Sequence, residues 1–122
     1  MQCDRIGTIH TPFSSREECP IQPVYARESV GTVELDEAYA EGLKDIETFS
    51  HLILLYLFDR AGEVHLIRPP FLDDRPHGVF ATRHPCRPNP LGLSIVRLVE
   101  RTAARLVVAG VDMLDRTPLL DI

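Results

Sequence analysis

The sequence predicts a mainly β domain, a small closed or nearly closed β-barrel carrying one or two short helices. Three observations lead there. Short runs of β-branched and apolar residues recur along the chain, several of them alternating with period two, and turn residues separate them at close intervals. Only one segment carries a helix signature. At 122 residues the chain has room for one small core, so residues 1–122 are expected to form a single domain. Closure into a barrel removes the edges that such apolar strands otherwise expose.

Residues 5–10 (RIGTIH) read as an opening strand, stopped by Thr11-Pro12. Residues 14–26 hold Pro20 and Pro23 and show no period, which makes them a loop of a length that is usually functional or disordered. Residues 30–35 (VGTVEL) alternate and form a strand. Asp36 is an N-cap, with Glu37 in the first turn, for a short helix running to Glu41 and ending at Gly42. Residues 43–49 are either a second helical turn or a loop.

Residues 51–58 (HLILLYLF) are a continuous apolar run of strand length, expected to be buried on both faces with His51 as a satisfied core histidine. A turn at 59–62 leads to another strand at 64–68, ended by Pro69-Pro70. In the polar connection 71–77, the adjacent Asp73 and Asp74 point in different directions and suit a turn better than an acid/base pair. Residues 78–82 (GVFAT) return to the sheet. Residues 93–100 and 105–111 are the clearest strand pair, turning near 102–104, and 117–122 form the final strand. There is no repeat and no low-complexity tract.

Composition excludes several classes. The longest apolar run, 52–58, is too short to span a bilayer, and no membrane association is expected. No charged, apolar, small-residue sequence opens the chain, so no signal peptide is expected. Three cysteines without CxxC spacing argue against a disulfide framework or structural zinc and fit a reducing cytoplasm. The net charge of −5 speaks against nucleic acid, but its distribution is uneven: residues 1–50 carry four basic and ten acidic side chains, residues 51–122 nine and eight. The basic set is almost wholly arginine, the residue suited to planar recognition of carboxylate or phosphate. These arginines make either a local cationic face or a solvated surface.

The most informative stretch is 78–97, GVFATRHPCRPNPLGLSIVR. Pro85, Pro88 and Pro90 fix φ there, and each biases the residue before it (His84, Arg87, Asn89) towards extended geometry. The result is a stiff, irregular loop bearing Arg83, His84, Arg87 and Asn89, and giving way at Gly92 to a strand. Such a loop is suited to hold a polar ligand. On residue type alone, the better reading is that Arg83 pins the loop to backbone carbonyls and Asn89 caps a turn between two prolines. There is no dinucleotide fingerprint, P-loop, nucleophile elbow or HExxH. His77, His84 and Cys86 match no familiar ligand spacing, and no metal is expected.

The run GVFATRHPCRPNPLGLSIVRL closely resembles the signature of the TsaA/TrmO (YaeB-like) family, whose best-known member methylates tRNA. IGTIHTPF, EGLKDIETFSHLILLY, RPPFLDDRPHGVFATR and DMLDRTPLLDI match in order, so the resemblance covers most of the chain. It implies a small TsaA-like β-barrel that forms a homodimer and binds S-adenosylmethionine near the subunit interface. It also implies methyl transfer to the exocyclic nitrogen of threonylcarbamoyladenosine beside the tRNA anticodon. The cofactor positions it implies are Gln22 and Pro23, Phe58 and Asp59, Arg83, Leu93 and Ser94, then Asp115, Arg116, Thr117 and Pro118. Arg83 is the expected polar anchor, Phe58 or Tyr56 the surface that stacks on adenine, and Asp115 and Thr117 the acceptors for ribose hydroxyls or the ammonium. Arg68 and Arg87 suit phosphate contacts on the substrate side, with His84 and Asn89 beside them. Methyl transfer from a sulfonium depends mainly on alignment. No general base is identified, His84 being the one candidate.

The chain departs from the family pattern at Arg116, where glycine is common, which strains the backbone if that position needs positive φ. Ile21 and Asp59 also replace a frequent arginine and histidine. The longer tRNA-methylating members carry a further C-terminal domain that is not expected here. Two other readings follow: a cofactor-binding regulatory or scaffold module without tRNA methylation activity, and a methyltransferase for a small molecule.

Overall fold

The computed structural model describes residues 1–15, 29–68 and 75–122. Gln22, Pro23, Ile21 and the Asp73–Asp74 pair lie outside them, as does most of the 14–26 loop. Among the described residues there are eight strands: β1 (Gly7–His10), β2 (Val30–Leu35), β3 (His51–Leu57), β4 (Ile67–Arg68), β5 (His77–Gly78), β6 (Leu91–Thr102), β7 (Arg105–Ala109) and β8 (Thr117–Asp121). Six of them close into an antiparallel barrel in the order β1-β2-β7-β6-β3-β8. β8 completes the ring by pairing with both β1 and β3, so no barrel strand is left with an open edge. The barrel bears out the predicted class.

Alternation explains why these sequences fill it. Ile9, Val33, Leu52, Leu54, Val96, Leu106, Val108 and Leu119 point inward and form one core cluster. Tyr56 on β3 faces Gly92 on β6, and a side chain at Gly92 would overlap the Tyr56 ring, so only glycine admits the tyrosine there.

The apolar run of β3 is not buried on both faces. Leu52, Leu54 and Tyr56 are inside, whereas His51, Ile53 and Leu55 are exposed, because a barrel strand has one inner and one outer face. His51 is therefore no core histidine; its Nδ1 lies 3.0 Å from Ser50 Oγ on the surface.

The expected helix at 36–41 is a 3₁₀ helix, Glu37–Leu43, followed by another at Ile46–Thr48. Asp36 holds the N-cap position but makes no cap bond. Its carboxylate instead takes two hydrogen bonds from Arg5, at 3.2 and 3.3 Å. The strand placed at 64–68 shrinks to Ile67–Arg68, which pairs only with His77–Gly78 in a separate two-stranded sheet. Residues 79–81 do not return to the barrel: they form a 3₁₀ turn, Val79–Ala81. Arg116 has φ 64°, so the position does demand left-handed backbone, and Ala103 in the β6–β7 hairpin has φ 53°.

Candidate functional site

The proline-rich loop runs from the Val79–Ala81 turn into β6, and a cavity of about 400 Å³ opens beside it. Its walls are Phe58 at the end of β3, Phe80 and Thr82 of the turn, Arg83, Arg87 and Asn89 of the loop, and Leu91, Gly92 and Leu93 at the start of β6. Five sequence-predicted residues thus share one space: Phe58, Arg83, Arg87, Asn89 and Leu93. The loop keeps its shape through local bonds. Arg87 Nη1 donates to Thr82 O (2.8 Å), Arg87 N to Pro85 O (2.9 Å) and Leu91 N to Asn89 O (2.7 Å).

Below the cavity lies a buried polar chain that residue types alone did not single out. Ser94 Oγ donates to Asp112 Oδ1 at 2.6 Å, which leaves the phenol of Tyr56 to donate to Ser94 Oγ at 2.8 Å. Arg83 closes the chain, with Nη1 donating to Asp112 Oδ2 (3.3 Å) and Nη2 to Ser94 Oγ (3.2 Å) and to the Leu93 carbonyl. Tyr56, Ser94 and Asp112 are each paired, the condition under which a buried polar group stabilises rather than costs. Burial, and then the charge of Asp112, push the Tyr56 phenol up to about 12.

Arg83 therefore does what the plainer expectation said, fastening the loop to a carbonyl, while staying half exposed at the cavity. Three of its five N–H donors are taken within the described residues, which leaves two for a ligand. Tyr56 does not present a stacking face: it is 2% exposed, inside the barrel. Phe58 is partly buried and meets Tyr56 edge-on at 5.4 Å.

The other predicted positions are grouped elsewhere. Arg60 bridges Asp59 Oδ1 (3.2 Å), the Asp115 carbonyl (2.7 Å) and Thr117 Oγ1 (3.3 Å). Asp115 Oδ1 accepts from Thr11 N (3.0 Å) and stands 3.5 Å from His10 Nδ1, whose Nε2 is 3.3 Å from Glu34. The Thr117 hydroxyl is buried and donates to Leu114 O (2.6 Å), and Pro118 sits opposite Thr8 in the barrel ladder. Asp115 and Thr117 thus spend polar atoms on the protein itself, while Arg116 projects outward. Neither Asp59 nor the residues from Asp115 to Pro118 line the cavity.

Arg68 and His84 face each other, Nη2 to Nε2 at 2.9 Å, and Arg68 Nε is enclosed without a hydrogen-bond partner among the described residues. His84 Nδ1 accepts from Cys86 N (3.0 Å) while Nε2 faces the Arg68 guanidinium, so both ring nitrogens are engaged. Cys86 is buried and accepts from Gly62 N (3.2 Å). Among the described residues no three His, Cys, Asp or Glu side chains converge as metal ligands do, and no helix is long and apolar enough to cross a membrane.

Residues 8–122 match the family defined by the tRNA-methyltransferase O N-terminal domain. The chain belongs to this family. It is 54% identical over 123 residues to a probable S-adenosyl-L-methionine-binding protein of Pyrococcus abyssi, a match spanning 100% of this chain and 67% of that protein. It is 35% identical over 131 residues to the tRNA (adenine(37)-N6)-methyltransferase of Escherichia coli, covering 99% of this chain and 56% of the relative. Among solved structures, a crystal structure of TrmO superposes with a TM-score of 0.85 at 40% identity, over 99% of this chain and 55% of the other. TrmO from Pseudomonas aeruginosa does so at 0.82 and 39%, over 99% and 53%. The chain thus spans about half the length of the TrmO structures and of the E. coli enzyme. Asp112, Phe80 and Thr82 fall within the family-like motifs of the sequence, but residue type alone gave no reason to pick them out.

Proposed function

We propose that this chain binds S-adenosyl-L-methionine in the cavity beside β6 and transfers its methyl group to the exocyclic nitrogen of threonylcarbamoyladenosine next to the tRNA anticodon, acting in the cytoplasm as a homodimer. The observation that carries this is the convergence of Phe58, Arg83, Arg87, Asn89 and Leu93 on one cavity of about 400 Å³. That volume lies in the range of small-ligand sites. Its lining fits the cofactor: Phe58 and the leucine side chains for a nucleoside, and the two remaining Arg83 donors for a carboxylate. The names carried by the relatives, a binding protein for this cofactor and a tRNA methyltransferase, point the same way.

The bound cofactor supplies a methyl group on a positively charged sulfur, already a strong electrophile. The protein's task is then orientation and exclusion of water. Arg83, fixed by Asp112 and Ser94, holds one end of the ligand in register, and Phe58 supplies an apolar wall. Arg87, fastened to Thr82 O, offers charge to an RNA phosphate without reading sequence. With His84 Nδ1 engaged by the backbone, no base is assigned and the acceptor nitrogen loses its proton to solvent after transfer.

Dimerisation is supported by the outer face of β3 and β6. Ile53 pairs with Ile95 and Leu55 with Leu93 across the ladder, and all four are exposed, with Leu91 beside them. An apolar patch of this kind marks an interaction surface. The same Leu93 lines the cavity, which supports a ligand site next to the pairing face.

A cofactor-binding module without tRNA activity is the second reading, favoured by relatives named only as binding proteins. Calorimetry tests what both share. S-adenosyl-L-methionine should bind, and Arg83→Ala should weaken it by about tenfold or more, as loss of a charge-assisted bond implies. Unchanged affinity in the variant removes Arg83 as anchor, and no binding by the native chain rejects both readings.

A further inference from the structure

We infer that Phe80, backed by Arg87, is the platform on which the acceptor nucleobase of the RNA stacks; this deepens the function proposed above and rests on it. Phe80 is 74% exposed, although Val79 beside it is buried. That exposure is built into the turn. Val79 N donates to Leu66 O at 2.7 Å, and Val79 O accepts from both Thr82 N (3.1 Å) and Thr82 Oγ1 (2.8 Å). A buried valine and three hydrogen bonds thus hold a phenyl ring out at the rim of the cavity.

The ring's neighbours are those a nucleotide needs. The guanidinium carbon of Arg87 lies 5.9 Å from the ring centroid and is steadied by the bond to Thr82 O. Asn89, exposed on the same wall, offers an amide suited to a base edge, and Arg83 adds a second cation. An aromatic face joined to fixed cations and an amide is the usual equipment for an unstacked base with its phosphate. Leu91 and Leu93 of the pairing face line the same cavity, so contact with a second copy of the chain is the competing occupant, separated below by sedimentation.

Two nucleobases have this chemistry, the adenine of the cofactor and the base being methylated. Position favours the second. A small ligand buries most of its surface and belongs against the inner wall with Phe58, whereas a base delivered by a large RNA arrives from solvent and meets the rim first.

The test compares the native protein with Phe80→Ala, Phe80→Leu and Phe80→Trp, using an anticodon stem-loop RNA bearing threonylcarbamoyladenosine. Phe80→Ala and Phe80→Leu should raise KM for the RNA roughly tenfold, the loss expected when one stacking face is removed. Phe80→Trp should restore it, and cofactor affinity by calorimetry should stay within about twofold in all three. Native-like KM in Phe80→Ala overturns the inference. So does a parallel loss of cofactor affinity, which would assign the ring to the cofactor's adenine, or a shift in sedimentation, which would assign it to a second copy of the chain. A native protein that methylates no RNA rejects the underlying function as well, a result distinct from an active native protein with an indifferent variant.

Discussion

At the scale of single residues, Asp112 gives the site its rigidity. It is the acceptor that both Ser94 and Arg83 require, and it raises the cost of ionising the Tyr56 phenol. Below about pH 10 the phenol keeps its proton in both folded and unfolded chains, and Tyr56 adds no pH dependence. Above that the unfolded phenol ionises while the folded one holds its proton up to about 12. The unfolded state then binds fewer protons, so stability falls as pH rises through this window, by about 2–3 kcal/mol in total. Urea denaturation across the window should show this fall in the native protein and a flatter profile in Tyr56→Phe; Asp112→Asn should let the phenol ionise at lower pH, read from phenolate absorbance. Arg116 makes a second case. Its φ of 64° is costly for any side chain, and its weak contact with Asp115 at 3.7 Å is on an exposed chain. Arg116→Gly should therefore raise stability by about 1 kcal/mol in thermal denaturation. A lower melting temperature would show that the arginine contributes more than its strain costs.

At the scale of elements, β3 and β6 carry the main lesson about what could be read in advance. Alternation located 30–35 to the residue, and the turn near 102–104 followed from the two strands around it. The run HLILLYLF did not disclose its two faces, because Ile53 and Leu55 are as apolar as Leu52 and Leu54. Only barrel closure decides which set is inside. Helix type was equally hidden: Asp36 spends its carboxylate on Arg5, a partner 31 residues away. The outer face is itself testable. Ile95→Glu, exposed at 61%, leaves the inward set untouched and should convert the proposed dimer to a monomer in analytical ultracentrifugation while the fold is kept. An unchanged dimer would place the interface elsewhere.

At the scale of the whole molecule, a closed barrel of six strands leaves its interior to side chains and sends chemistry to the rim. The proline-rich loop was legible as the rim because proline spacing is a local property. Asp112 was not, since it meets Arg83 only after β7 returns the chain to β6. Nor could residue order reveal that Arg60 gathers Asp59, Asp115 and Thr117 into a cluster apart from the cavity. The most direct measurement is methyl transfer itself: the purified chain, methyl-labelled S-adenosyl-L-methionine, and tRNA with or without threonylcarbamoyladenosine. Label should appear only in the modified tRNA, at the nucleotide beside the anticodon. Cofactor that binds without labelling either RNA would contradict the account and leave a binding module in place of an enzyme.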